Sequence, residues 1–277
     1  MATASQKYLN IVQEYATSAE YDYITKILKT GYPDLQGMWK LMDTAWQEYG
    51  CDPNVIDERI NHFYTHPVWL LNGLFVEQDA ESLAHRRDYT FYVTSLNPKR
   101  VADIGGGFGT LARMIGEHNP AAEVHIVEPH PHPAAIFLAE KTPNVRYVPA
   151  LLGEYDVLIA TDVFEHVPDP LSLVEHTAAH LRMNGAYLIK NCFWPVIKCH
   201  LPTTFHFRWS WDNAMTAMNL FPDKIISYGK SYIKTGSVLS TTARNLENRS
   251  RFWFRLVEFL PRLFRRKIAN LLISGRA

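Results

Sequence analysis

The segment Val101-Ala102-Asp103-Ile104-Gly105-Gly106-Gly107-Phe108-Gly109-Thr110 constrains the fold of this chain more than any other. Its first four residues read as a buried strand, the glycines turn the chain, and a helix begins near Thr110 with Leu111, Met114 and Ile115 on its inner side. Glycines take up positive φ and let backbone N–H groups approach a ligand closely. The bare amides at the following helix start favour a carboxylate or phosphate. In open α/β sheets, this corner at a strand's carboxyl end is where cofactors bind. The spacing excludes two common uses. Counting from Gly105 and Gly107, Thr110 stands where a dinucleotide fingerprint needs its third glycine, and no Gly-Lys-Ser/Thr marks a P-loop.

The surrounding rhythm agrees. Short β-branched runs at Arg100–Ile104, Glu123–Glu128, Val145–Pro149, Tyr155–Thr161 and Gly185–Phe193 alternate with helical stripes. That order belongs to a parallel sheet covered by helices. The helix after the fourth strand starts at Asp169-Pro170, buries Leu171, Val174, Ala178 and Leu181, and is expected to end at Asn184-Gly185. Lys224–Ile233 and Ser237–Ala243, around Lys234-Thr235-Gly236, read as a closing β-hairpin.

Residues 1–95 read as helices. Ile24, Ile27 and Leu28 share a face ended by Gly31 and Pro33, and Leu35, Met38, Trp39, Met42, Trp46 and Tyr49 follow at steps of three and four, most simply as packing surface. Asp52-Pro53, His66-Pro67 and Asp79 are expected helix starts. The chain thus divides into a helical lid or substrate subdomain (1–95), a sheet core (96–243) and a tail (244–277).

The pattern Asp-x-Gly-x-Gly-x-Gly from Asp103 to Gly109 resembles motif I of the class I S-adenosylmethionine-dependent methyltransferases. Three features extend the resemblance over about residues 82–243: Val124–Glu128, a strand ending in a carboxylate; Asp162-Val163-Phe164-Glu165-His166-Val167-Pro168-Asp169-Pro170, similar to the segment after strand four in small-molecule methyltransferases of quinone and sugar pathways; and the closing hairpin. The resemblance implies an α/β, Rossmann-like, doubly wound seven-stranded sheet with an antiparallel last strand, preceded by the helical subdomain. It implies S-adenosyl-L-methionine as cofactor, held by Asp103, Gly105, Gly106, Gly107, Gly109, Glu128, Pro129, Leu151, Asp162 and Phe164. Glu128 would accept both ribose hydroxyls, as a carboxylate suits a vicinal diol. The chain departs from the family at Pro149-Ala150-Leu151-Leu152, where many relatives carry an acid for the adenine amino group.

Methyl transfer to a hydroxyl needs alignment and a proton acceptor. His166, after the fourth strand, is the candidate base, though it also suits a packing role in that turn. His200 and His206 are further candidates for a second acid/base or a hydrogen bond to a polyol, though each is more simply read as structural. Arg86 and Arg87 lie where related enzymes close over the methionine carboxylate, or on a solvated helix face. No structural or catalytic metal is expected, since the histidine spacings match no familiar ligand set, and a divalent ion assisting at the acceptor is left open.

Net charge is zero over 277 residues, yet from Arg244 onward nine Lys/Arg face two Asp/Glu. The acidic body and the absence of an Asn/Asp-Pro-Pro-Tyr/Phe motif after strand four argue against DNA and for a small-molecule or glycan acceptor. The mixed basic and aromatic tail, 249–273, reads as a peripheral membrane contact, as a helix docked on the acidic body, or as an RNA contact. Three cysteines without CxxC spacing, an N-terminus without a signal-peptide profile and no apolar run near ~18 residues lead to the expectation of a cytoplasmic protein, in the membrane reading peripheral at the inner face. Oligomerisation is left open. Two other readings stay open: a non-catalytic cofactor-binding scaffold, and a cofactor-bound enzyme of non-methyl chemistry.

Overall fold

The computed structural model describes residues 4–257. Six helices lead in: α1 (Ala4–Tyr15), α2 (Ser18–Leu28), α3 (Leu35–Glu48), α4 (Glu58–Tyr64), α5 (Pro67–Val76) and α6 (Ala80–Ser95). The core follows as β1 (Arg100–Ile104), α7 (Thr110–His118), β2 (Glu123–Val127), α8 (Pro133–Glu140), β3 (Val145–Val148), β4 (Tyr155–Thr161), α9 (Pro170–Ala178), β5 (Leu181–Lys190), α10 (Phe207–Ala217), β6 (Leu220–Ile226), β7 (Gly229–Lys234) and α11 (Arg244–Val257).

The strands form one seven-stranded sheet in the order β3-β2-β1-β4-β5-β7-β6. The first five run parallel, and β7 inserts antiparallel between β5 and β6. The expected fold class is the one observed. Central strands are covered on both faces, so they read as continuous apolar runs and not as alternation. In β4, Val157 and Ile159 pack with the face that carries α6 and α7, while Leu158 and Ala160 pack with the face that carries α9 and α10. The order of strands reverses between β1 and β4, which opens a crevice at their carboxyl ends.

The N-terminal helices make a third cluster, in which Phe63, Leu71 and Leu74 are fully buried together with Phe108 of the glycine loop and Ala134 and Leu138 of α8. Each such large side chain contributes about 1.5–3 kcal/mol by leaving water. The helical part is therefore fastened to the cofactor end of the sheet.

Three local expectations are corrected. The closing hairpin is β6–β7, turning at Ser227 (φ 52), and residues 237–243 hold a short 3-10 turn but no strand. Asp52 closes a tight turn by accepting from the Asn54 N–H at 2.9 Å, and the helix waits for Asp57, which caps α4. Helix α9 ends at Ala178, where Lys234 Nζ takes the carbonyls of Ala178 (2.8 Å) and Leu181 (2.6 Å). Asn184-Gly185 is then a bend inside β5, where a Cβ on Gly185 would lie 2.7 Å from Leu181.

The described part of the tail, α11, docks on the body. Ser250 donates to the His206 carbonyl at 3.2 Å, Arg244 pairs with Asp169 at 2.8 Å, and Trp209 and Phe254 pack ring to ring. Residues 258–273 of the proposed membrane segment lie outside the described residues. No helix among the described residues is long and apolar enough to cross a membrane.

Candidate functional site

Glycine 105 opens the turn after β1 with φ +64, and its missing side chain is required: a Cβ there would stand 2.7 Å from Val163 Cγ2 in the segment after β4. A Cβ on Gly106 would meet Asp103 Oδ2 at 2.9 Å. Gly107 (φ +53), by contrast, faces open space, with nothing within 4 Å of where a side chain would begin. The loop is thus closed on its inner side and open on the other, the shape of a backbone cradle.

Its polar surroundings are arranged to hold it. Glu128 Oε2 accepts from the Gly107 N–H at 3.0 Å and Oε1 accepts from the His130 N–H at 3.2 Å. Tyr147 donates its hydroxyl to the Gly107 carbonyl at 2.8 Å. From the helical subdomain, Glu77 binds both Thr110 and Arg113 at the start of α7. The ring of Phe108 lies where a Cβ on Gly73 of α5 would be, at 2.6 Å, so the helix needs a glycine there to seat the loop.

Asp103 at the end of β1 is buried, and its Oδ1 has no hydrogen-bond partner. Burial pushes its carboxyl up to about 7, against the pull of the Arg86 guanidinium and with a further push from Glu128. Arg86 is itself half-buried on α6, and the charges of Asp103 and Asp162 partly offset the burial that lowers its own pKa. Of the two arginines, Arg86 is half-buried within reach of the charges of Asp103 and Asp162, and Arg87 is exposed.

Across the crevice, the segment after β4 supplies a second group. Asp162 takes a left-handed conformation (φ 55) and pairs with Lys190 at the end of β5. Glu165 is fully buried: Oε1 accepts from the Cys192 N–H at 2.6 Å, and Oε2 is without a partner. An unpaired buried polar atom costs about 1–3 kcal/mol, more when charged. Burial, and then the charge of Asp162, hold this carboxyl well above the usual carboxylate range. His166 and His200 meet edge to face with ring centroids 4.9 Å apart. Burial, with His200 beside it, pushes His166 down to about 4, so at neutral pH its ring is uncharged. The Tyr64 ring of α4 stands 6.3 Å from His166, edge on. A cavity of about 210 Å³ between α3 and the 195–205 loop, lined by Asp43, Pro195, Ile197, His200 and Phe205, opens beside this group. A depression of about 290 Å³ around Pro120, Asn144 and Arg146 lies at the amino ends of β2 and β3, away from the crevice.

The structure brings Asp103, Gly105, Gly106, Gly107, Gly109 and Glu128 into one cradle, with Asp162 and His166 opposite and Leu151 half-buried against the α9/α10 side of the core. Pro129 is exposed next to Glu128. Two expected residues stand elsewhere. Phe164 is fully buried against Tyr187 and Trp211, so its ring offers no face to a cofactor. His206 is buried under α11 with Nδ1 against Ser250 Oγ (3.1 Å) and Nε2 against Arg251 (3.2 Å), a packing role. Glu165, Lys190 and Tyr147 were not singled out in the sequence. Glu165 stands beside His166 in the segment after β4, and an acid next to a histidine is the local pattern that marks it.

A methyltransferase domain family model matches residues 75–226, more than half of the chain. The chain belongs to this methyltransferase family. The match begins at the end of α5, so the family's domain takes in α6 of the 1–95 segment. A ubiquinone biosynthesis O-methyltransferase from Vibrio campbellii is 28% identical over 96 residues, covering 31% of this chain and 41% of that protein. The chain thus spans less than half the length of the curated relative it matches. Among solved structures, a Nostoc punctiforme protein assigned to the O-methyltransferases is 14% identical with a TM-score of 0.52, covering 72% of this chain and 71% of its own, which supports the fold alone. A 1,6-didemethyltoxoflavin N1-methyltransferase from Burkholderia thailandensis, crystallised with S-adenosylhomocysteine, is 18% identical over 60% of this chain and 83% of its own, with a TM-score of 0.46. S-adenosylmethionine is the cofactor of such methyltransferases, and the residues fit it: an open glycine cradle, an unpartnered buried acid at Asp103 and a carboxylate at the end of β2.

Proposed function

We propose that this chain transfers a methyl group from S-adenosylmethionine to a hydroxyl oxygen of a small or medium acceptor, a sugar, glycan or secondary-metabolite intermediate. The observation that carries the reading is the contact between its two halves: the glycine cradle touches the segment after β4 through Gly105 and Val163, so whatever lies in the cradle faces the His166 side of the crevice. S-adenosylmethionine supplies an electrophilic methyl on a sulfonium. The chain's own work is alignment and proton removal. Gly107 and its neighbours leave room for the cofactor, Glu128 offers the acceptor pair for its diol, and Arg86 stands on the side suited to a carboxylate.

His166, uncharged and with Nδ1 occupied by the Cys199 carbonyl at 3.1 Å, turns an unprotonated Nε2 to the acceptor hydroxyl. The rings of Tyr64 and Trp69, 5.2 Å apart, form an apolar wall near it that suits stacking on a sugar or aromatic ring. The stripe Arg249, Phe252, Arg255 and Leu256, exposed on α11, supports a peripheral membrane contact for an acceptor carried at a lipid surface. Phe252→Ser/Leu256→Ser is expected to lower partitioning onto anionic vesicles at least twofold, and equal partitioning would remove that part of the reading. The activity is tested by following S-adenosylhomocysteine release with candidate hydroxyl acceptors. Release that depends on the acceptor is expected, and tight cofactor binding without release would reject transfer.

A further inference from the structure

The segment after β4 and the loop after β5 converge on a group of three side chains that the sequence spacing conceals. Glu165, His166 and His200 each place one ligating atom within 4.8 Å of the other two. Their hydrogen bonds decide what those atoms offer. His166 Nδ1 meets the Cys199 carbonyl oxygen at 3.1 Å and His200 Nδ1 meets the Trp194 carbonyl oxygen at 2.6 Å. A carbonyl accepts only, so each imidazole carries its proton on Nδ1 and leaves Nε2 as a lone pair. Glu165 spends Oε1 on the Cys192 N–H and leaves Oε2 buried and unpartnered. Two imidazole lone pairs and one buried carboxyl oxygen therefore face one another, and a cation bound among them would displace the proton that burial holds on Glu165. Asp162 pairs with Lys190, and its charge also acts on the Glu165 carboxyl and on His166.

We propose that Glu165, His166 and His200 form a binding site for one divalent cation of the Zn²⁺, Co²⁺ or Mn²⁺ class, in the acceptor-side wall of the crevice. The donor set selects the class: two imidazoles and one carboxylate suit these borderline ions, whereas Mg²⁺ and Ca²⁺ prefer oxygen alone. Imidazoles oriented by an Nδ1–H bond to a backbone carbonyl are the usual arrangement around such ions. Three protein ligands leave at least one position open, as in sites where a metal meets a substrate oxygen. The expectation of no metal came from looking for ligands close in sequence, and here His200 reaches the other two from the loop that follows β5. With an ion bound, the lone pair that His166 would turn to a proton is given to the cation, and the acceptor hydroxyl binds to the ion at its open position.

The proposed function gives this site its use, but binding requires neither cofactor nor acceptor, so the two can fail separately. The full-length chain, stripped with a chelator, is titrated at neutral pH with Zn²⁺, Co²⁺ or Mn²⁺ alone. One equivalent is expected to bind, with Co²⁺ producing visible d–d absorption bands. Mg²⁺ is expected to bind at least tenfold more weakly. His200→Ala and Glu165→Gln should each lower affinity at least tenfold. His176→Ala, at an exposed histidine on α9, should not change it. Unchanged circular dichroism and thermal unfolding without metal would show that the variants fold. Should a variant unfold, a Zn²⁺-dependent rise in the melting temperature of the parent chain, lost in the other variant, gives the same answer. Less than one equivalent bound, or equal affinity in His200→Ala, Glu165→Gln and His176→Ala, would overturn the site.

Discussion

The two walls of the crevice are built differently. The cofactor side is made from one continuous stretch, Asp103 to Thr110, and works through backbone: absent side chains, left-handed glycines and N–H groups. The acceptor side is made from side chains that arrive from separate loops, at 162–166 and 192–200, with Tyr64 and Asp43 contributed by the helical subdomain. The first wall tolerates almost no added atom on its inner side, at Gly105, Gly106 and Gly109, and the second depends on which functional group stands at each place. The difference shows in how each should respond to substitution.

The largest effect is expected at Gly105. A valine there would force the positive φ and a clash with Val163 together. Gly105→Val should lower cofactor affinity at least a hundredfold by calorimetry, an estimate of about 3 kcal/mol. His166→Ala should separate the walls most cleanly: turnover falls about 10²-fold or more, while cofactor affinity stays within about twofold. Wild-type turnover in that variant would remove His166 from the chemistry.

A buried acid in the cradle and a buried histidine under α11 give opposite pH dependences. Asp103 has a folded pKa raised to about 7, so the folded chain holds the proton longer than the unfolded one. Its contribution favours folding at low pH and is lost as pH rises from about 4 through about 7. His206 is pushed down to about 3 by burial and then by Arg251, so the unfolded chain protonates first. Its contribution is present above about 6.5 and is lost as pH falls toward about 3. Denaturant titrations across pH should show Asp103→Asn flattening the first slope and His206→Gln flattening the second, each by a few kcal/mol at most. Unchanged slopes in both variants would show that neither group is buried as described. The smallest effect is expected for Arg244→Ala, whose pairing with Asp169 is partly exposed and should contribute about 0.5–1 kcal/mol to the seating of α11.

The same contrast explains what could be read in the sequence. The cradle lies in ten consecutive residues, and glycine spacing reports backbone shape directly, so the strand, turn and helix were all legible. Strands β1 and β4 were bounded correctly because short aliphatic stretches, Val101-Ala102 and Val157–Ala160, stand between turn residues. The hairpin was misplaced because Lys234-Thr235-Gly236 looks like a turn, while the turn actually used, Ser227-Tyr228, has no glycine at its left-handed position. Asp52-Pro53 has the chemistry of a helix start, but Asn54 captures the capping oxygen. Phe164 was misjudged because position after a strand does not say which way a side chain turns, while His206 takes the structural role that was the simpler of its two readings. The meeting of His200 with Glu165 and His166 depends on the path of a loop, which no local pattern specifies.

The most direct test of the central claim is calorimetric titration of the full chain with S-adenosylhomocysteine, alongside Glu128→Ala. The account predicts a single binding site for the parent chain and affinity reduced about tenfold or more in the variant, through loss of the diol acceptor. Absence of heat at millimolar nucleoside, or identical binding by the two proteins, would contradict it.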